Sequence, residues 1–412
     1  MQRYSIRDKC HVNTNEDEDT FVGIKCEDKD ISINFPLGFD VSKGDKGLRK
    51  DITLLMHVLA AYSNHKDSSY TNAQKEYDIL AFPFHAYLEI LYDFFERGYF
   101  KERETQYTVA KRGKINWSRT IKTQSPVVQD GNIFYLEFVA KKNTINDNEM
   151  ITLIHEFCVY DSFEKIGWLF TDAMPARPRI KFNKKLFVSV IKNKLSKTFN
   201  DKNKSLFRNM IAVVEQLDDS NAESKFEYGT YRFEYVWEKL IDRVFGIENK
   251  ADYFPKTTWN VFGNKYDNAS LEPDTIMVWN NNVYVLDSKY YKFGRTKKSG
   301  DLPESTSINK QITYGEYIAE TEKYREIHGK RMQVYNVFMM PFNKHSTKWN
   351  TDKNIVRIGE ATSNWKSNEK TYERVQGVVI DIKHVMGISV RHDEIEIKRL
   401  VDLIEEFFDY AE

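Results

Sequence analysis

Apolar positions along this chain repeat with two periods, and the switches between them mark out its elements. Thr20 to Cys26 and Asp30 to Phe35 carry the short alternating blocks of strands, separated by charged turns. Phe35-Pro36-Leu37-Gly38-Phe39 breaks that pattern, and Leu48 to Ser63 then sets Ile52, Leu55, Val58 and Leu59 on one helical stripe. An aromatic helix follows over Phe82 to Gly98. Ile133 to Val139 reads as a strand and Glu149 to Ser162 as an amphipathic helix. Lys181 to Asp219 is strongly helical, with Phe187, Val190, Ile191 and Leu195 at helical spacing, then a basic run from Lys192 to Lys204 and a further helix at Leu206 to Leu217. Asp218-Asp219-Ser220-Asn221 ends this region in a polar break.

Beyond the break the pattern changes. Tyr231 to Gly246 is a helix with Phe233, Trp237, Leu240, Ile241 and Val244 on its apolar side and Gly246 as its stop. Thr275 to Trp279 and Val283 to Leu286 are β-branched, aromatic and aliphatic, and the asparagines between them, Asn280 to Asn282, tolerate the positive φ of a tight hairpin turn. Lys292 to Ser307 reads as a mobile Gly-, Ser- and Lys-rich loop, and a helix runs from Ile308 to about Tyr324. Gln333 to Pro341, Asn354 to Gly359 and Val375 to Ile382 are strand candidates, and His392 to Phe408 is a closing helix. Strands interleaved with helices predict an α/β core with a mixed sheet over 221–412, preceded by an α+β accessory region over 1–220.

The length, 412 residues, exceeds what one core usually holds, and 41% apolar with 14% aromatic residues indicates a well-buried globular protein. Sixty-one basic residues balance sixty-one acidic ones. A neutral chain does not coat nucleic acid by itself, although a local basic groove is compatible with it. Three cysteines, Cys10, Cys26 and Cys158, at unrelated spacings suit a reducing cytoplasm and make no cluster or disulfide framework. The first residues lack the apolar core of a signal peptide, and no apolar run approaches a membrane span, so the expectation is a cytoplasmic protein with no membrane partner. The chain has no Gly-x-x-x-x-Gly-Lys-(Ser/Thr) loop, so no NTP site is expected in it.

Candidate chemistry concentrates on the hairpin. Asp274 opens its first strand, and Asp287 and Lys289, two apart near the end of the second, project from one face. Two carboxylates and an ammonium then converge. Hard oxygen ligands of this kind suit Mg²⁺, with Mn²⁺ as a substitute, and a lysine beside the metal orients water and offsets transition-state charge. A second candidate is the basic stretch Ala110 to Lys122, where Lys114, Trp117 and Arg119 suit contact with a phosphate backbone or a partner; the alternative is an exposed turn with Trp117 buried. His155-Glu156 lacks the second histidine of a zinc protease helix.

Pro273-Asp274 and Asp287-Ser288-Lys289 resemble the signature of the PD-(D/E)xK nucleases. That resemblance implies one more metal ligand from a helix ahead of the sheet, Glu238 first and Glu234 second. Gln311 and Tyr314, on the helix after the Asp-x-Lys strand, resemble the glutamine and tyrosine of RecB-like and McrC-like nucleases, with a spacing one residue short unless Gly315 stands in the tyrosine's place. The resemblance implies that Gln311 meets the active site or the scissile strand and that Tyr314 contacts DNA or a partner.

Taken with Phe35-Pro36-Leu37-Gly38-Phe39, Gly113 to Thr120, Ile166 to Phe170 and the Trp237-Glu238 helix, the order of elements is similar to the LlaJI family of restriction endonuclease subunits, akin to McrC. The resemblance implies a Mg²⁺-dependent endonuclease subunit of a restriction or antiviral defence system. It would hydrolyse double-stranded DNA in concert with an McrB-like AAA+ GTPase or ATPase, docked through the N-terminal region. Two alternatives remain open: a non-catalytic assembly subunit that stimulates a partner NTPase, and a nuclease acting alone on RNA or damaged DNA.

Overall fold

A computed structural model describes residues 6–27, 30–63, 83–101, 103–145, 149–171, 173–217, 226–268, 270–388 and 390–409. The chain forms two compact units, Met1–Ala81 together with Lys225–Glu412, and Phe82–Ser224. This differs from one N-terminal region running through residue 220, and the reason is strand pairing. Val22–Glu27 lies between Asp30–Phe35 and Phe226–Thr230, so the first strand after the predicted break completes a four-stranded sheet begun at the start of the chain. The break itself, Asp218 to Asn221, lies outside the described residues.

The larger unit is built on a second sheet of five strands. From one edge to the other these are Thr275–Trp279, Asn282–Ser288, Val334–Phe342, Val375–Asp381 and Ile355–Ala361. The two hairpin strands are antiparallel, the next two pairings are parallel, and the far edge strand is antiparallel again, which makes the sheet mixed. All nine residues of Val334–Phe342 are buried, as a central strand covered on both faces requires.

Alternation along Asn282–Ser288 sorts the helices to the two faces. Val283 and Val285 join Tyr314 and Ile318 of the helix Ser305–Glu320 in one apolar cluster. Tyr284 points the other way, its hydroxyl 2.6 Å from Glu405 Oε1 on the C-terminal helix Glu394–Asp409. The helix Phe233–Phe245 packs against both hairpin strands and is pinned by Trp237, whose Nε1–H donates to the Met339 carbonyl at 3.1 Å.

The Lys292 to Ser307 stretch, expected as a mobile loop, is instead a pair of short helical turns, Phe293–Thr296 and Ser299–Asp301, held from a distance. Trp349 donates its Nε1–H to the Gly294 carbonyl, and the Lys297 ammonium lies 4.0 Å from the centre of the Trp349 ring. Gly294 runs so close to the backbone of Pro341 that a Cβ there would sit 1.9 Å from its carbonyl oxygen.

The second unit packs the helices Phe84–Arg97, Met150–Ile166, Lys184–Lys197 and Asp201–Gln216, alongside a three-stranded sheet of Arg103–Ala110, Phe138–Ile145 and Lys114–Ile115. The helical region from Lys181 holds two helices, and Asn200 caps the second, its side chain accepting from the Asn203 N–H. His155 is fully buried and accepts the Phe100 N–H at Nδ1, 2.8 Å away. Burial, reinforced by Arg97, holds its pKa down at about 3. Among the described residues no helix is long and apolar enough to cross a membrane.

Candidate active site

The hairpin turn is the one its asparagines permit. Asn280 and Asn281 take φ of 47° and 68°, a two-residue turn whose twist matches the strands it joins. That turn fixes the register, with Thr275 opposite Leu286. Continued by one pair, the register sets Asp274 across from Asp287, a spacing at which cross-strand side chains on one face meet. The Ser288 N–H donates to Asp274 Oδ2 at 2.8 Å, and the Lys250 ammonium holds the Asp274 carbonyl at 2.6 Å.

Asp287 is buried and its Oδ2 lies 2.6 Å from Lys289 Nζ. The Lys289 N–H meanwhile donates to the Met339 carbonyl at 2.9 Å, so the pair sits on backbone anchored to the central strand. Burial works against the Lys289 charge, but Asp287 and Asp274 outweigh it and hold its pKa above the ordinary lysine value. Asp274 is shifted the opposite way for a carboxyl, up to about 8, by burial first and then by the charges of Asp287 and Glu238. The Ser288 N–H and Lys289 offset only part of that.

The electrostatics separate the two helix carboxylates. Glu238 acts on Asp274, whereas Glu234 pairs with Arg232 at 3.0 Å on the exposed side. Gln311 is 1% exposed, and its Nε2–H₂ donates to the Val285 carbonyl at 2.6 Å, two residues before Asp287. Its amide is spent on the strand backbone beneath the site. Tyr314, expected at a contact with DNA or a partner, is 1% exposed, donates to the Glu272 carbonyl at 3.3 Å and belongs to the core. Nor does Gly315 stand where a tyrosine fits, because even a Cβ would lie 2.4 Å from Asn336 Nδ2.

Lys114, Trp117 and Arg119 lie in the other unit. Trp117 is 53% exposed, edge-on to Phe138, which removes the alternative of a buried tryptophan. Arg119 lies over the Tyr107 ring at 3.8 Å, and exposed Lys114 pairs across strands with Lys141. Lys250 is the site residue that sequence reasoning missed. It sits on a one-turn helix, Lys250–Tyr253, with no motif around it.

Among the described residues no three His, Cys, Asp or Glu side chains form a shell that could hold a metal ion by themselves. Mg²⁺ asks for less, one or two carboxylates completed by substrate phosphate and water. Asp274 and Asp287 are hard oxygen donors in a like-charged setting that a cation would relieve, so the residues present fit such an ion.

Fold and site together define a mixed α/β protein with paired carboxylates and a lysine at the end of its central sheet. The chain belongs to the LlaJI restriction endonuclease family, whose profile matches residues 21–355. Component YdjA of the type II restriction enzyme BsuMI from Bacillus subtilis (strain 168) is 24% identical over 297 residues, 67% of this chain and 62% of that protein. The chain thus matches less than two thirds of that relative's length. Among solved structures, a chain from a half-complex of Thermococcus gammatolerans McrB AAA+ hexamers with bound McrC is similar at a TM-score of 0.38 and 16% identity, covering 93% of this chain and 83% of that one. A chain of the McrBC complex from the same organism gives a TM-score of 0.23 at 16% identity over 54% of this chain and 64% of that one.

Proposed function

We propose that this chain is the DNA-cleaving subunit of a restriction system, a Mg²⁺-dependent endonuclease of the PD-(D/E)xK type that works in the cytoplasm with an McrB-like AAA+ NTPase. The observation that carries the reading is the Asp287–Lys289 pair, set across a fixed hairpin register from Asp274. Asp274 and Asp287, with Glu238 behind them, would hold the ion. Once bound, the ion would polarise a phosphodiester and lower the pKa of a water. Lys289, kept cationic by its neighbours, donates hydrogen bonds to the phosphoryl oxygens or to the attacking water and stabilises charge that grows in the transition state. Gln311 acts one layer below by fixing the strand that carries Asp287.

The sequence carries no phosphate-binding loop, so any NTP dependence of this chain would come from another protein. The name of the Bacillus relative describes a component of an enzyme, and the same division of labour is assigned to this chain. Lys114, Trp117 and Arg119 are then a contact surface for DNA or for the NTPase.

Plasmid cleavage in Mg²⁺ tests the proposal, with the purified chain alone and with an McrB-like NTPase plus ATP or GTP. Cutting only in the complete mixture, abolished by Lys289→Ala, is the expected result. Cutting by the chain alone would make it an autonomous nuclease. Stimulated NTP hydrolysis without cutting would make it an assembly subunit.

A further inference from the structure

Between the Phe233–Phe245 helix and Asp274 the chain forms a hairpin that joins neither sheet. Its strands are Thr258–Val261 and Asn264–Asp267, antiparallel, and all eight residues are exposed. Trp259 and Tyr266 face each other across it, 62% and 56% exposed, and Phe262 at the turn is fully exposed. Phe262 also holds φ at 50°, followed by Gly263 at 86°.

A bulky residue in the left-handed region is costly, and the turn alone gives no reason for it. The chain makes the same kind of turn at Asn280–Asn281 with residues that adopt it cheaply. Phenylalanine at this apex therefore combines backbone strain with an exposed ring, and a partner that receives the ring would offset both.

The surroundings point to the partner. The hairpin root is fixed by the Asn268 N–H donating to the Thr257 carbonyl and the Leu271 N–H to the Pro255 carbonyl. Asp274 follows three residues after Leu271, its carbonyl held by Lys250 from the segment just before the hairpin. Five residues of strand from that root reach about 17 Å, half a helical turn of duplex. The root lies three residues from Asp274 along the chain, so a nucleic acid bound at Asp274 and Asp287 would pass beside the hairpin. Lys256, Lys265, Asn260 and Asn264 are exposed donors along the hairpin, and its one carboxylate, Asp267, accepts from the Thr258 hydroxyl at 2.7 Å. Aromatic rings amid amide and ammonium donors suit stacked bases flanked by phosphates.

We infer that this hairpin is a wedge that inserts Phe262 between base pairs of duplex DNA next to the candidate cleavage site, with Trp259 and Tyr266 packing on the displaced bases. The inference rests on the nuclease reading above. The test uses the full chain, with and without the NTPase, bound to closed circular plasmid in EDTA, where a Mg²⁺-dependent enzyme does not cut. A metal-independent topoisomerase then relaxes the plasmid, and the linking number is read after the protein is removed. Phe262→Gly is the variant of choice because glycine favours this φ, so the hairpin keeps its fold.

Wild type should shift the linking number. Phe262→Gly should lose the shift and bind about fivefold more weakly, the low end for one ring stacked on a base. A variant that unwinds DNA like wild type overturns the wedge. So does one that keeps DNA binding but loses capture of the NTPase, which would give the hairpin to a protein contact. A wild-type chain that cuts plasmid in Mg²⁺ without ever unwinding it refutes the wedge and leaves the nuclease reading standing. A chain that neither binds nor cuts DNA refutes both.

Discussion

Gln311→Leu separates two roles for a residue that the family resemblance places at the scissile strand of DNA and the structure places beneath the protein strand that carries Asp287. Leucine has a similar volume, so the change removes the 2.6 Å bond to the Val285 carbonyl and little else. A typical bond of this kind is worth about 1 kcal/mol net, and a buried acceptor left a bond short raises the loss to about 1–3 kcal/mol. Leucine's apolar burial returns part of this, leaving a loss of roughly 2 kcal/mol. At about 2–4 °C per kcal/mol for a domain of this size, Tm falls by roughly 4–8 °C. A protein of ordinary stability remains almost wholly folded at 25 °C after such a loss. Cleavage there should stay within about twofold of wild type if Gln311 only anchors the strand, whereas losing a donor to the reacting phosphate costs about a hundredfold or more. Thermal unfolding by circular dichroism and single-turnover cleavage by the complete system decide it. An unchanged Tm refutes the anchor, and a hundredfold rate loss in a folded variant shows that the amide reaches the substrate.

Asp274→Asn relieves the crowding that raises this carboxyl, so the metal-free variant should be at least as stable as wild type while losing stabilisation by Mg²⁺. At a hundredfold excess over Kd that stabilisation is about 2.7 kcal/mol, and melting curves in EDTA and in Mg²⁺ that respond alike in both proteins would remove Asp274 as a ligand. Glu238→Gln should slow cleavage and raise the Mg²⁺ needed, whereas Glu234→Gln, whose parent pairs with Arg232, should leave the Mg²⁺ titration unchanged; equal effects would void the distinction between them. His155 has a folded pKa near 3 against 6.5 in the open chain, so below pH 6.5 the unfolded state takes up the proton and stability falls as pH falls. The loss is about 2 kcal/mol at pH 5, and His155→Gln, which keeps an acceptor for Phe100, should flatten urea-unfolding stability between pH 7 and 5; an equally steep variant would place the acid sensitivity elsewhere.

The sheet was legible because its signals are local. Period-two alternation, the asparagine turn and the apolar run into Asp287 all lie within Thr275–Ser288. Tyr314 is a core residue, and the information for that is present in the sequence. Gln311, Tyr314, Gly315 and Ile318 form an i, i+3, i+4, i+7 stripe, and that stripe is the buried one. A polar residue on an apolar stripe is more readily a strut than a contact. What had no local signal was set by partners far along the chain. Phe226–Thr230 finds its place against Val22–Glu27, some two hundred residues earlier, and the Lys292 to Ser307 stretch is tied down by Trp349.

The two hairpins that flank Asp274 are held in different ways, and the difference bears on what each can do. Asn282–Ser288 is laddered on both sides, to Thr275–Trp279 and to Val334–Phe342. At its end the Ser288 and Lys289 N–H groups are each fixed, one by Asp274 and one by Met339, so Asp287 just ahead of them is held in place by a pair of hydrogen bonds. Groups that must meet a phosphate to within a fraction of an ångström belong on such a strand. Among the described residues, Thr258–Val261 and Asn264–Asp267 pair only with each other and lie outside the four- and five-stranded sheets. A two-stranded element of that kind can tilt to follow a substrate at little cost to the core. Substitutions at Trp259, Phe262 and Tyr266 should therefore leave Tm nearly unchanged while altering DNA binding. Truncations around Asp287 should move stability and cleavage together.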